Sequence, residues 1–138
     1  MNNNNNAFHY QLRVFYEDTD AGGIVYYANY LKFAERARTE WLRHLGINQS
    51  YFLEQNLAFV VRKVEMDNKA SAKLDDLLTI KTTISQLKKA SLVFEQTICN
   101  QHGDELCHVT VLIASVNLVK AKPCPIPKSI VGALSSAR

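Results

Sequence analysis

Four strand-like runs, at residues 57–68, 77–88, 91–100 and 105–119, follow one another through the second half of the chain, joined by links too short to hold a crossover helix. Val, Ile, Thr and Phe are prominent in them. The middle two alternate on one side, as Leu78, Ile80, Thr82, Ile84 and then Leu92, Phe94, Gln96, Ile98, which is the period of strands with one buried face. Lys88-Lys89-Ala90 is a tight connection and Asn100-Gln101-His102-Gly103-Asp104 a turn. Parallel strands need crossovers of a dozen residues or more, so hairpin-length links impose antiparallel neighbours.

Ahead of these runs, Tyr10, Leu12, Val14 and Tyr16 alternate with mostly polar neighbours and predict a strand over residues 9–16. From Asn29, the residues Tyr30, Leu31, Ala34, Ala37, Trp41, Leu42 and Leu45 recur as a helical stripe. Lys32, Glu35, Arg36, Arg38, Glu40 and Arg43 fill the other positions, and Gly46 supplies the stop. Asn48 can cap a short second helix through Gln55. Pro123, Pro125 and Pro127 end the strand region in an extended segment, and residues 128–134 can form a last turn or two of helix. The expectation is an α+β fold, one five-stranded antiparallel sheet packed on one main helix. Such a sheet leaves edges, so pairing between subunits is expected to cover one of them.

At 138 residues and 47% hydrophobic content the chain suits a single domain over residues 7–138. Residues 1–6 carry an asparagine tract expected to be a disordered tail without function. No apolar run approaches the ~20 residues a membrane span needs, and the start lacks the pattern of a signal peptide, so a cytoplasmic location is expected. Cys99, Cys107 and Cys124 form no C-x-x-C pair, and His9, His44, His102 and His108 show no ligand spacing. Neither disulfide, metal nor other cofactor is implied. The net charge is only +3 with the basic residues scattered, which suits local phosphate binding better than a nucleic-acid stripe.

The chemistry concentrates in Glu17-Asp18-Thr19-Asp20-Ala21-Gly22-Gly23-Ile24-Val25-Tyr26-Tyr27-Ala28-Asn29-Tyr30, where three carboxylates run through a glycine pair into a helix start. A helix N-terminus offers unpaired N–H groups and a partial positive charge, so a carbonyl oxygen gaining negative charge can be held there while a carboxylate attacks or activates water. Asp20 is the candidate carboxylate. An Asp before a helix is ordinarily its N-cap and Gly-Gly ordinarily a turn. A calcium loop counted from Asp18 fails, because Gly22 falls at its fifth position and Asn29 at its twelfth. Three mutually repelling acids in a short loop argue for a task beyond capping.

Tyr16-Glu17-Asp18-Thr19-Asp20-Ala21-Gly22-Gly23-Ile24-Val25-Tyr26, Phe33-Ala34-Glu35-Arg36-Ala37-Arg38-Thr39-Glu40, Ala58-Phe59-Val60-Val61-Arg62-Lys63 and Leu74-Asp75-Asp76 together resemble the hotdog-fold acyl-CoA thioesterases, in the Tol-Pal-associated branch related to 4-hydroxybenzoyl-CoA thioesterase. The resemblance runs from about residue 10 to 131. It implies a sheet wrapped around one long helix, dimers paired edge to edge, and tetramers built from dimers. It places the catalytic carboxylate at Asp20 and the carbonyl-polarising amide at Tyr27, where many members carry His. The acyl channel would be lined by Gly23, Ile24, Val25 and Tyr26. The phosphates of coenzyme A would meet Lys88, Lys89 and Ser91, with Arg62 and Lys128 as further contacts. Acyl carrier protein is the other partner implied, with peripheral placement at the inner membrane through partners. The competing reading is a non-catalytic adaptor that binds an acyl group or acyl carrier protein, against which the acidic motif argues. A hydratase of the same fold ranks lower, because no His stands near the Asp20 loop.

Overall fold

The structure is a computed structural model and describes residues 6–138. Residues 1–5 of the asparagine tract lie outside the described residues, and the Asn6 side-chain amide donates to the Arg138 carbonyl at 2.6 Å. The elements are β1 (Phe8–Arg13), α1 (Asn29–His44), α2 (Gln49–Glu54), β2 (Leu57–Asn68), β3 (Leu77–Leu87), β4 (Ser91–Cys99), β5 (Glu105–Asn117), β6 (Lys122–Pro123) and α3 (Lys128–Ala137). Five strands pair antiparallel in the order β1-β3-β4-β5-β2, and the two-residue β6 adds to β5. The expected α+β sheet wrapped on one long helix is present. β2, β3, β4 and β5 begin where the sequence placed them.

The alternation works as expected: Leu78, Ile80 and Thr82 of β3 and Gln96 and Ile98 of β4 are all fully buried, and Phe94 is 2% exposed. These residues face α1, which contributes Phe33, Ala34, Ala37, Trp41 and Leu42 to one continuous core. Trp41 meets Phe94 edge-on at 6.1 Å and stacks on Phe8 at 6.0 Å. Each such large apolar side chain contributes about 1.5–3 kcal/mol on burial. Two positions of α1 depart from the expected pattern. Leu31 is 38% exposed, while Phe33, outside the expected stripe, is buried beside Tyr30, Ala34 and Ala37. Arg38, assigned by periodicity to the polar side, is only 9% exposed because a buried amide in the sheet receives it.

Gly46, at φ +81°, ends α1 as expected, with the Ile47 N–H returning to Leu42 O at 2.8 Å. The Asn48 side chain caps α2 by accepting from the Tyr51 N–H at 3.1 Å. α3 runs three residues beyond the expected turn or two, with Ile130 and Leu134 buried in the core and Ala137 packed against it. β2 is an edge strand of the sheet, with Val60, Val61 and Val64 exposed.

Candidate active site

The hydrogen bonds between β1 and α1 separate the structural acids from the available one. The strand expected over 9–16 stops at Arg13, because residues Tyr16–Asp18 close a 3-10 turn in which Asp18 Oδ2 accepts the Phe15 N–H at 2.8 Å. Thr19 Oγ1 donates to Tyr16 O in the same turn. Asp18 is therefore committed to shaping the backbone, and Glu17 is exposed.

The chain next reverses between Thr19 and Val25, which bridge antiparallel. Asp20 N–H donates to Ile24 O and Gly23 N–H to Asp20 O. Asp20 Oδ1 accepts the Gly22 N–H at 2.9 Å, and Oδ2 has no donor among the described residues. A Cβ on Gly22 would stand 3.3 Å from Asp20 Oδ1, and Gly23 takes φ +77°, so the glycine pair makes room for the carboxylate and closes the turn. Asp20 is exposed and caps nothing on α1, which removes the capping explanation for it.

The cap position of α1 is held by Ala28, whose side chain accepts no hydrogen bond. Asn29, Tyr30 and Leu31 N–H groups bond back to Tyr26, Tyr27 and Ala28 carbonyls, and Tyr26 N–H donates to Asp18 O at 3.2 Å. The N–H groups of Tyr27 and Ala28 have no acceptor among the described residues. A Ser or Asp cap would have consumed such donors; here they stay without an acceptor among the described residues, at the positive end of the helix dipole. Asn29 Nδ2 donates to Asp18 O at 2.8 Å and ties the helix start to the acidic loop.

Beside Tyr27 lies a pocket of about 250 Å³ lined by Val25, Tyr27, Tyr30, Asn68, Lys69, Ala70 and Ser71, with Asp20 outside its lining. Burial pushes the Tyr30 hydroxyl's pKa up, partly offset by the Ala72 N–H that it accepts at 2.8 Å. Of the expected channel residues, Ile24 and Tyr26 are 38% and 51% exposed, Gly23 is half-buried, and Val25 is a core residue at 4%. The Tyr27 ring is exposed and lies against Tyr26 at 5.1 Å.

Lys88, Lys89 and Lys128, which are distant in sequence, line one open groove of about 510 Å³ with an apolar floor of Leu87, Pro125, Ile126 and Val131. Arg138 joins its rim, a residue the sequence reading did not select. Ser91 starts β4 and accepts the Lys88 N–H through its carbonyl at 2.8 Å, so it holds the lysine turn from outside the groove lining. Arg62 stands apart from this groove, exposed at the bulge between Val61 and Lys63 of β2. Sequence reasoning also missed an apolar cavity of about 150 Å³ at the other end of β2, bounded by Phe52, Leu57, Phe59, Ser115, Pro127 and Ile130. No local pattern signals it, since its walls come from four elements.

Residues 14–134 match the thioesterase-like superfamily. The chain is 48% identical over 128 residues to the Escherichia coli acyl-CoA thioester hydrolase YbgC, covering 93% of this chain and 96% of that protein. It is 49% identical over 126 residues to the Haemophilus influenzae acyl-CoA thioesterase YbgC, covering 91% and 92% respectively. Among solved structures it is similar to a probable thioesterase from Bartonella henselae, with a TM-score of 0.77 at 40% identity over 88% of this chain and 98% of that one.

Proposed function

We propose, because the chain belongs to the thioesterase-like superfamily, that it hydrolyses acyl-CoA thioesters to a free acid and coenzyme A. The observation that carries this reading is an uncapped helix start, whose Tyr27 and Ala28 N–H groups lack acceptors among the described residues, following seven residues after an exposed carboxylate, Asp20. The thioester carbonyl oxygen sits at the Tyr27 N–H, where the dipole of α1 favours the developing negative charge. Asp20 attacks the carbonyl carbon to form a mixed anhydride that water then cleaves to the free acid and the Asp20 carboxylate, or Asp20 takes a proton from a water that attacks instead. The C–S bond breaks and the sulfur leaves as thiolate, a good enough leaving group to need no strong general acid. The role requires only a backbone amide at position 27, so Tyr in place of the family's frequent His keeps it.

The Lys88, Lys89 and Lys128 groove receives the phosphates of coenzyme A. The exposed valines of β2 support a dimer in which two copies pair this edge antiparallel. Such pairing sets the Leu57 end of one strand beside the Asn68 end of the other, so the apolar cavity at Phe52, Leu57 and Phe59 of one copy faces the partner's helix start and accepts the acyl chain. Assembly of dimers into a tetramer, a cytoplasmic location with peripheral contact at the membrane, and the Tol-Pal connection rest on the resemblance. Acyl carrier protein would present the same thioester without the adenosine phosphates and would not need the lysine rim.

The test is thiol release from a panel of acyl-CoA esters by the protein and by Asp20→Asn. The variant keeps the acceptor for the Gly22 N–H and loses the charge, so it should fold normally and lose about 10²-fold or more in kcat. Equal turnover in the two proteins, or none in either on CoA and carrier-protein substrates alike, would refute the reading and favour the adaptor.

A further inference from the structure

Gln96 and Thr82 are polar residues in the otherwise apolar inward stripes of β4 and β3, where they are register partners and fully buried. Gln96 Nε2 donates to Thr82 Oγ1 at 3.0 Å and to the Ala34 carbonyl of α1 at 2.8 Å. Its Oε1 accepts from Arg38 Nη1 at 2.9 Å, one turn further along the same helix. Arg38 is 9% exposed, and no carboxylate pairs with it among the described residues. Burial lowers its pKa, and Glu35 opposes that shift only as a nearby charge.

A buried guanidinium held by a neutral amide is poor value as a source of stability, since apolar replacement of such groups is often neutral or favourable. Its better-attested use is to select one register among several of similar packing energy. α1 has that need. Ala34 and Ala37, both fully buried, are the small residues on its contact face, and apolar contact has no direction of its own. Hydrogen bonds at fixed lengths to two successive turns do have direction. The Asp20 loop is held to residues 72–74 by the Ile24–Lys73 bridge, by Val25 N–H to Ala72 O and by Leu74 N–H to Gly23 O, and to the first turn of α1 by Asn29 Nδ2 to Asp18 O, while Tyr30 Oη accepts the Ala72 N–H. These ties act at one end of α1 only, so a shift of the helix along the sheet would pull on them and move the Tyr27 N–H relative to Asp20.

We infer that Arg38, Gln96 and Thr82 form a polar clamp that sets α1 in register on the sheet and so positions the Tyr27 N–H against Asp20. All three are positioning residues, and the inference rests on the proposed role of that N–H. A misplacement of about 1 Å can cost on the order of 10²-fold in rate, which gives the clamp its catalytic weight.

The test uses the triple variant Arg38→Met, Gln96→Leu, Thr82→Val, which removes all three polar side chains together and takes from the Ala34 carbonyl only its side-chain donor. Expected are an unchanged circular-dichroism spectrum, KM within about twofold, kcat lower by about tenfold or more, and broadened or doubled backbone amide signals for Tyr27 and Ala28 in NMR spectra. Gln96→Glu is the second variant, used if the triple does not fold. It keeps an acceptor for Arg38, loses the donor to Ala34 O, and carries the same expectations. Single sharp amide signals at wild-type positions with kcat within twofold of wild type would overturn the clamp. The amide signals are read whether or not the protein turns over any thioester, so failure of the thioesterase reading and failure of the clamp are told apart.

Discussion

Glu95→Gln isolates the polar cluster on the side of β4 opposite its buried Phe94 and Gln96. Glu95 Oε1 accepts from Thr110 Oγ1 at 2.9 Å and meets His108 Nε2 at 2.9 Å, while Oε2 accepts from Ser85 Oγ at 3.1 Å. Hydrogen bonds to a charged group contribute about 1.5–3 kcal/mol when desolvated. The Glu95 and His108 side chains are 32% and 36% exposed, so solvent screening pulls their contact toward the surface range of about 0–1 kcal/mol. Gln retains one acceptor oxygen, which leaves a net loss of about 1 kcal/mol at neutral pH. Burial alone would raise the Glu95 pKa, but hydrogen bonds from His108, Thr110 and Ser85 outweigh it and hold the group below its ordinary value. A depressed carboxylate contributes stability above its unfolded pKa of about 4.3 and loses it as pH falls through the folded value. The stability gap between wild type and variant should be full at pH 7 and close progressively below about pH 4.3. Urea unfolding at fixed protein concentration, followed by the fluorescence of the single tryptophan, Trp41, reads the gap, and acid effects common to both proteins cancel. A gap as large in the acid range as at pH 7, or none at pH 7, would refute the reasoning.

Replacing Lys88, Lys89 and Lys128 together by Ala should raise KM for acyl-CoA several-fold with kcat within about twofold, and added salt should shrink the difference; initial rates at two ionic strengths check it. Cys107 is fully buried and its thiol is pushed up to about 11, chiefly by desolvation, so iodoacetamide at pH 8 should leave it unlabelled in the native protein and label it in urea, as read by peptide mass. Val61→Lys with Val64→Lys sets like charges on the β2 edge and should move the species seen by light scattering from a multiple of the 15.6 kDa chain toward the monomer, with the far-ultraviolet spectrum preserved.

The sheet was legible because strand periodicity is local. Residues such as Leu78, Ile80, Phe94 and Ile98 declare their buried face by alternation alone, and short links leave antiparallel pairing as the available topology. The acidic loop was legible as a candidate site because three carboxylates before a helix are costly in any fold. The sequence could not show which acid is spent on structure: Asp18 on the Phe15 N–H and Asp20 on one Gly22 N–H differ by hydrogen bonds that exist only once the turns close. Nor could it show that Lys128 shares a groove with Lys88 and Lys89, because the return of the chain through β6 and α3 brings them together. Arg38 was misplaced on the polar face for the same reason. Its acceptor, Gln96, lies 58 residues away in sequence on a strand. Patterns of one or two turns are written in neighbouring residues, whereas the partner of a buried polar group is chosen by the tertiary packing that excludes water from it.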